Sequence, residues 1–347
     1  MVELLCLGHA MVDIFAEAGE NFCRRYGIVA PVQHVSPALI DLVLGALPSM
    51  AYGSGGGAAN VAKIASLLGI RGAFAGSAGT SGAGAGEPDA FARLFKGDLI
   101  DAGVQVLLLP SAEKTGCCLV LTTPEGVKIA ASPGAAEDFG PGDIPEELFS
   151  RAKAVVLDGY MLDREDLVRR VFELAARDHA GNPVLALDAG SVFTIRAGAE
   201  RIAEYMGEHP LILFMNEEEA AALYGVLHGK TGGTEPPPVA SSSRRLNPAG
   251  GFWEGLCGKA GSIIVLKQAE KGAVVVSAAG AFAAETTPLV PVDSTGAGDA
   301  FAAGFLAAFL RGKALEECAA LGNRTAGKIL AVPGVRISRE ALGAPPR

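Results

Sequence analysis

The sequence predicts an α/β fold in which a mainly parallel central sheet is covered by helices on both faces, with a small β lid. Three observations lead there. From residue 153 onward, short apolar runs at 154–158, 184–188, 211–215 and 262–266 alternate with helical segments at 163–177, 197–207 and 216–226. Apolar runs of this kind fit strands buried on both faces, and the intervening helices supply the crossovers that parallel pairing requires. Glycine-rich turns at 53–57 and 293–299 each stand between strand-like sequence and a helix start, and open parallel sheets bind ligands beyond the carboxyl ends of their strands. The chain is 347 residues long and half of them are apolar, which is ample for one large core.

In chain order, Val2 to Leu7 reads as a buried strand ending at Gly8. Residues 14–53 are mixed, with Pro31, Pro37 and Pro48 as breaks. After the glycine run, Val61, Ile64 and Leu68 recur at helical spacing, and Gly69 suits a C-terminal cap. Ala73–Gly76 is a short strand, and 77–87, dominated by Gly, Ala and Ser, reads as a loop. A helix over Ala90–Ala102 and a strand over Val104–Leu109 follow. Cys117–Thr122 and Val127–Ala131 flank Thr123-Pro124-Glu125-Gly126 as a hairpin. Residues 228–251, with three prolines at 236–238 and the pair Arg244-Arg245, interrupt the alternation as a mobile insertion. Strands near 273–277 and 281–285 precede two closing helices at 299–311 and 313–331. The whole, 1–347, is expected to be one domain, with lid segments at about 14–53 and 114–132 over the crevice.

Composition narrows the function. The net charge of −9 argues against nucleic acid or an anionic membrane as partner. The longest apolar helix, Ala300 to Leu310, is too short to span a bilayer, and the acid in Met1-Val2-Glu3-Leu4-Leu5 gives no basic leader region. Six cysteines without a Cys-x-x-Cys pair read as reduced, mostly buried thiols. A cytoplasmic protein acting on a small molecule is expected, and a homodimer is compatible with all of this. Five scattered histidines show no metal-ligand spacing.

The chemistry concentrates in Asp293-Ser294-Thr295-Gly296-Ala297-Gly298-Asp299, which runs into the apolar stretch Ala300-Phe301-Ala302-Ala303-Gly304-Phe305-Leu306. Gly296, Ala297 and Gly298 let the backbone approach a ligand closely. Their amides, with the helix N-terminus behind them, suit a phosphate or a developing oxyanion. An acid at the rim of such a pocket repels an anion that merely sits there. It makes sense if Asp299 takes the proton of a hydroxyl attacking phosphorus. A helix cap is the plainer use of the same acid.

The chain resembles the PfkB carbohydrate kinase family, also called ribokinase-like, which includes adenosine kinases. Asp293 to Asp299 matches its C-terminal signature, Gly55-Gly56-Gly57-Ala58-Ala59-Asn60 its N-terminal one, Gly8 with Asp13 its first substrate segment, and Asn216-Glu217-Glu218-Glu219 its Asn-x-x-Glu element. The resemblance implies a ribokinase-like fold and transfer of the γ-phosphoryl group of ATP to a hydroxyl of a sugar, with Mg²⁺. It implies Asp299 as base, the Gly296, Ala297 and Gly298 amides as anion hole, and Asp13, Gly55, Gly56 and Asn60 on the substrate hydroxyls. Asn216, Glu219, Lys267 and Gly272 would lie on the nucleotide side, Glu219 acting on Mg²⁺ through water. Asp293 and the Thr295 carbonyl would face a K⁺ ion completed by residues 329–334. Asn216 and Glu219 fit a helix N-cap with its capping box equally well.

The chain departs from the family in Val265-Leu266-Lys267-Gln268-Ala269-Glu270-Lys271-Gly272, where Ala269 replaces a glycine, and in 77–87, where the expected early acid is missing. Asp158-Gly159-Tyr160, at a strand end, either reaches the substrate or is structural. Within the kinase reading a nucleoside acceptor is the alternative to a sugar, with Phe15, Tyr26 and Tyr52 near the substrate segments. A non-catalytic ligand sensor has no use for Asp299. A dinucleotide-dependent oxidoreductase lacks Gly-x-Gly-x-x-Gly after the first strand.

Overall fold

The computed structural model describes residues 2–82, 86–177, 182–229, 251–258, 260–332 and 334–343. Two sheets organise them. The strands are β1 Leu4–Leu7, β2 Met11–Glu17, β3 Val32–His34, β4 Ala51–Gly55, β5 Gly72–Gly79, β6 Gln105–Ser111, β7 Thr115–Thr123, β8 Gly126–Gly134, β9 Ala154–Asp158, β10 Val184–Asp188, β11 Leu211–Asn216, β12 Ile263–Lys267, β13 Ala273–Ser277 and β14 Gly280–Ala284. The larger sheet runs β14-β13-β12-β11-β10-β9-β1-β5-β6. Pairing is parallel from β12 through to β6, and β13 and β14 add an antiparallel edge.

The central strands are buried throughout because helices cover both faces. One core gathers Phe74, Phe214, Phe301 and Phe305, and the other gathers Leu157, Leu187, Leu213 and Met215. Successive residues of one strand enter opposite cores (Phe214 one, Leu213 and Met215 the other), as the period-two alternation of a strand demands. Phe214 meets Phe305 edge-on, with ring centroids 5.4 Å apart, which locks the helix Ala297–Phe309 onto β11.

The strand order reverses between β1 and β9. β1 continues through β5 and β6 to one side, β9 through β10 and β11 to the other, so a crevice opens at the carboxyl ends of β1 and β9. The second sheet is ordered β3-β8-β7-β2-β4. Within it, β2 pairs antiparallel with β4 and parallel with β7. Val12 and Ile14 face the core, while Asp13 lies on the opposite side of the strand.

Three expectations need adjustment. The strand expected over Ala73–Gly76 extends to Gly79, every residue buried, so residues 77–79 are not loop. The mixed stretch 14–53 contains two helices, Glu20–Arg25 and Pro37–Leu44, beside β3 and β4. The helix expected at 197–207 starts five residues earlier, at Val192, capped by Ser191. Of the insertion 228–251, residues 230–250 lie outside the described residues. Among the described residues no helix is long and apolar enough to cross a membrane.

Candidate active site

The parallel strands deliver a row of polar side chains to one edge. Asp158 ends β9 and Asp188 ends β10, and the two are register partners. Asn216 ends β11 opposite Lys267 at the end of β12. Lys267 Nζ bonds both oxygens of Asp188, at 2.8 and 3.1 Å. Asp188 was not anticipated from sequence. A lone acid at a strand end carries no local motif, and only the strand assignment itself marks the position.

Two helix N-termini meet this row. The first belongs to Gly57–Leu67. Gly8, Ala58 and Asp158 crowd together at the reversal point: a Cβ on Gly8 would lie 2.6 Å from Ala58 Cβ and 3.1 Å from Asp158 Cβ. Gly56 carries φ +92° and passes the His9 carbonyl so closely that a Cβ would sit 2.4 Å from its oxygen, so glycine is required on both counts. The second N-terminus belongs to Ala297–Phe309, entered through Gly296 in the left-handed region at φ +74°. A Cβ there would be 2.3 Å from Val335 Cγ2.

Asp299, in the first turn of that helix, lies between the two N-termini. Asn60 Nδ2 donates to its Oδ2 at 2.8 Å, and a Cβ on Gly57 would stand 3.5 Å from its Oδ1. Burial pushes the Asp299 carboxyl up to about 7 and the negative charge of Asp188 adds to this, while the Asn60 hydrogen bond and Lys267 oppose it. A carboxyl poised there exchanges a proton near neutrality. With its amide nitrogen held by Asp299, Asn60 keeps a buried Oδ1 with no hydrogen-bond partner. A buried orphan acceptor is unfavourable unless a ligand donor meets it.

Of the three amides expected to form the anion hole, that of Ala297 donates to Ser294 O at 3.3 Å. Gly298 and Asp299 sit in the first helical turn, where no preceding carbonyl of the helix is available to their N–H groups. A Cβ on Gly298 would lie 3.1 Å from Lys267 Nζ, so the ammonium rests against this turn. Asp293 braces the turn from behind. Its Oδ1 accepts from Thr295 N at 2.9 Å and its Oδ2 from Gly334 N at 2.8 Å. Although burial opposes it, these backbone donors hold its carboxyl below the ordinary range.

On the lid side, Asp13 is buried against Gly55, where a Cβ would fall 2.2 Å from Asp13 Oδ1. Burial pushes the Asp13 carboxyl up to about 6, against the pull of Lys63, and Asp293 pushes the same way as burial. Tyr160, half exposed, has its phenol raised by burial and by the charges of Asp158, Cys118 and Asp299.

Asn216 and Glu219 form a complete capping box, Asn216 N to Glu219 Oε2 and Glu219 N to Asn216 Oδ1, both 2.8 Å. The capping alternative is thus realised, and Glu219 is also buried within reach of the charges of Lys267 and Asp188. Gly272 turns the β12–β13 hairpin at φ +93°, where a Cβ would strike Ala284 O. Ala269, in the same turn, holds a left-handed φ of +48°, which accounts for a glycine being expected there.

The assembled site carries Asp158, Asp188, Glu219 and Asp299 against Lys267. Among the described residues no three His, Cys, Asp or Glu side chains close on one point as a metal cage would. Mg²⁺ bound with a nucleotide takes one or two carboxylates and keeps waters, so this donor set fits an ion arriving with phosphates.

Known proteins share this sequence pattern and fold. The profile of the pfkB family carbohydrate kinases matches residues 26–342. An adenosine kinase of Schizophyllum commune is 25% identical over 337 residues, which is 93% of this chain and 93% of that protein. A cytidine kinase of Thermococcus kodakarensis is 35% identical over 123 residues, 34% of this chain and 36% of the relative. The crystal structure of an adenosine kinase from Sinorhizobium meliloti superposes with a TM-score of 0.79 at 26% identity, covering 99% of this chain and 98% of the other.

Proposed function

The chain belongs to the pfkB family of carbohydrate kinases, and from that premise we propose that it transfers the γ-phosphoryl group of ATP to a ribose hydroxyl of a nucleoside, with Asp299 as the base. The observation that carries this is the Asn60–Asp299 pair: a carboxyl held near neutrality beside an orphaned amide oxygen, between two helix N-termini. An acceptor hydroxyl there can give its proton to Asp299 as the bond to phosphorus forms. Proton removal is late in such transfers, and positioning with charge neutralisation supplies most of the acceleration. The Gly298 and Asp299 amides and Lys267 would receive charge on the transferring group; one such donor is typically worth about 10²–10³ in rate. Asp13 and Asn60 would hold vicinal hydroxyls, leaving Gly55 and Gly56 as the close backbone wall.

Mg²⁺, when bound, would neutralise the phosphates, and Glu219 and Asp188 are the residues that would hold it through its waters. Asp293 and Thr295 would face a monovalent cation such as K⁺, Asp293 being already ionised by its backbone donors. A nucleoside is preferred to a free sugar because relatives matched over nearly their whole length are named adenosine kinases. The free sugar is the second reading, since Asp13 and Asn60 bind hydroxyls that both compounds present. Incubating the chain with ATP and Mg²⁺ against adenosine, cytidine, guanosine, inosine and ribose, and following ADP release, tests the proposal. Turnover of ribose alone would move the acceptor to free sugars, and turnover of none would remove the assignment.

A further inference from the structure

The sheet edge opposite the active site, at the amino ends of β1, β5 and β6, holds a cavity of about 670 Å³. Three arginines line it, Arg71, Arg151 and Arg339, and among the described residues no carboxylate does. In a chain of net charge −9 this is a local reversal of sign. Ser66, in the last turn of the helix Gly57–Leu67, lines it too. Ser66 is 2% exposed, and its Oγ has no hydrogen-bond partner. A helical serine can return its hydroxyl to the carbonyl four residues back, and this one does not. A buried hydroxyl left in that state is unfavourable unless a ligand meets it.

Gly69 follows with φ +95°, and a Cβ on it would stand 3.4 Å from a terminal nitrogen of both Arg311 and Arg339. Two guanidiniums thus lie side by side at the end of this helix. They donate to its last carbonyls, Arg311 to Leu68 O and Arg339 to Ser66 O, which is C-terminal capping. Capping accounts neither for the Ser66 hydroxyl nor for Arg71, just before β5, and Arg151, at the end of the helix Glu146–Arg151. Arg71 Nε pairs with Glu3 at 3.3 Å and Arg151 Nη1 with Glu147 at 2.9 Å, but both arginine side chains are more than half exposed. Ion pairs in that setting are weak, and each guanidinium has further N–H donors.

We propose that this cavity binds an organic phosphate, its phosphate group met by Arg71, Arg151, Arg339 and the Ser66 hydroxyl, and its carbon skeleton by Val2, Ile70 and Leu148. Planar guanidinium forks match phosphate oxygens two at a time. The volume exceeds what inorganic phosphate fills and falls in the range of small-molecule sites. The site is separate from phosphoryl transfer. Asn60, near the start of the helix Gly57–Leu67, belongs to the active site, whereas Ser66 lies about 9 Å further along the axis.

The test is hydrogen–deuterium exchange of the full chain with AMP, ribose 5-phosphate or inorganic phosphate, all at the same concentration. AMP or ribose 5-phosphate should slow exchange at 66–72, 103–105 and 148–151 about threefold or more. R71Q/R151Q should abolish that slowing, and R151Q alone, at the surface, serves if the double variant does not fold. S66A should raise the half-saturating concentration about tenfold. Without ligand its melting temperature should equal or exceed that of the wild type, because an orphaned hydroxyl is gone. AMP against ribose 5-phosphate tells a nucleotide from a sugar phosphate, and slowing by either supports the proposal. Slowing confined to the active-site segments 55–60 and 296–299 overturns it. So does slowing that survives R71Q/R151Q undiminished, or inorganic phosphate matching both organic compounds.

Discussion

Replacing Asp299 with Asn should make the folded chain more stable, with a gain that depends on pH. The carboxyl ionises near 3.8 when unconstrained and at about 7 in the folded chain, so folding raises its affinity for the proton. Below about pH 3.8 the group is protonated in both states and nothing is lost. As pH rises toward 7 the unfolded chain releases the proton that the folded chain retains, and the folded state is disfavoured by an amount that is complete above about 7. Three units correspond to at most about 4 kcal/mol. The side chain is only half-buried, so solvent screening brings the figure to about 1–2 kcal/mol. Asn preserves the acceptor for Asn60 Nδ2 through its own amide oxygen and adds no cavity. Melting followed by circular dichroism should place D299N about 1–3 °C above wild type at pH 8, the two converging by pH 4. Equal melting temperatures at pH 8, or a gain that persists undiminished at pH 4, would refute the reasoning.

Other outcomes follow from the same geometry. The wild-type kcat for the acceptor should fall as pH drops through about 7, because Asp299 must be ionised to accept a proton; a rate flat from pH 6 to 8.5 would count against it. K267M removes the cation that lowers the Asp299 carboxyl, so the acid limb of kcat should move to higher pH, with kcat reduced about tenfold or more; a pH–rate titration reads both. G55A puts a methyl into the space of the Asp13 carboxylate and should raise the acceptor KM well beyond the ATP KM, with stability lowered by about 1–3 kcal/mol. G296A forces a side chain into the left-handed region and onto Val335, and should lower both kcat and melting temperature by freeing the 334 loop.

Why the sequence disclosed some of this and hid the rest has physical causes. Apolar runs at 154–158, 184–188 and 273–277 became β9, β10 and β13 with those bounds, because a strand buried on both faces can hold few polar residues. The lid was opaque. β2 pairs with β4 and β7, roughly 40 and 100 residues away in sequence, so its register is set by partners that no local pattern reveals. β5 was half hidden because Gly76, Ser77, Ala78 and Gly79 have loop composition yet lie buried; their small size is what lets the Gly8 carbonyl and the Asp89 carboxylate come so close. In the site, the glycine turns and Asp299 were legible because close approach needs small residues at fixed spacing. Asp188 was not, since a single charge in an apolar segment looks the same whether it faces water or a buried partner. Glu219 was ambiguous for a different reason: capping box and nucleotide contact ask for the same residue at the same spacing.

A carboxylate that deprotonates an alcohol is the centre of the proposed reaction. Its most direct test is transfer of labelled γ-phosphate from ATP to the best acceptor of the panel, in a single turnover with Mg²⁺, comparing wild type with D299N at matched occupancy of both substrates. Labelled acceptor phosphate is expected from the wild type, and a rate at least about 10³-fold lower from D299N, with acceptor affinity within a few-fold. Transfer by D299N at a rate close to wild type would contradict it.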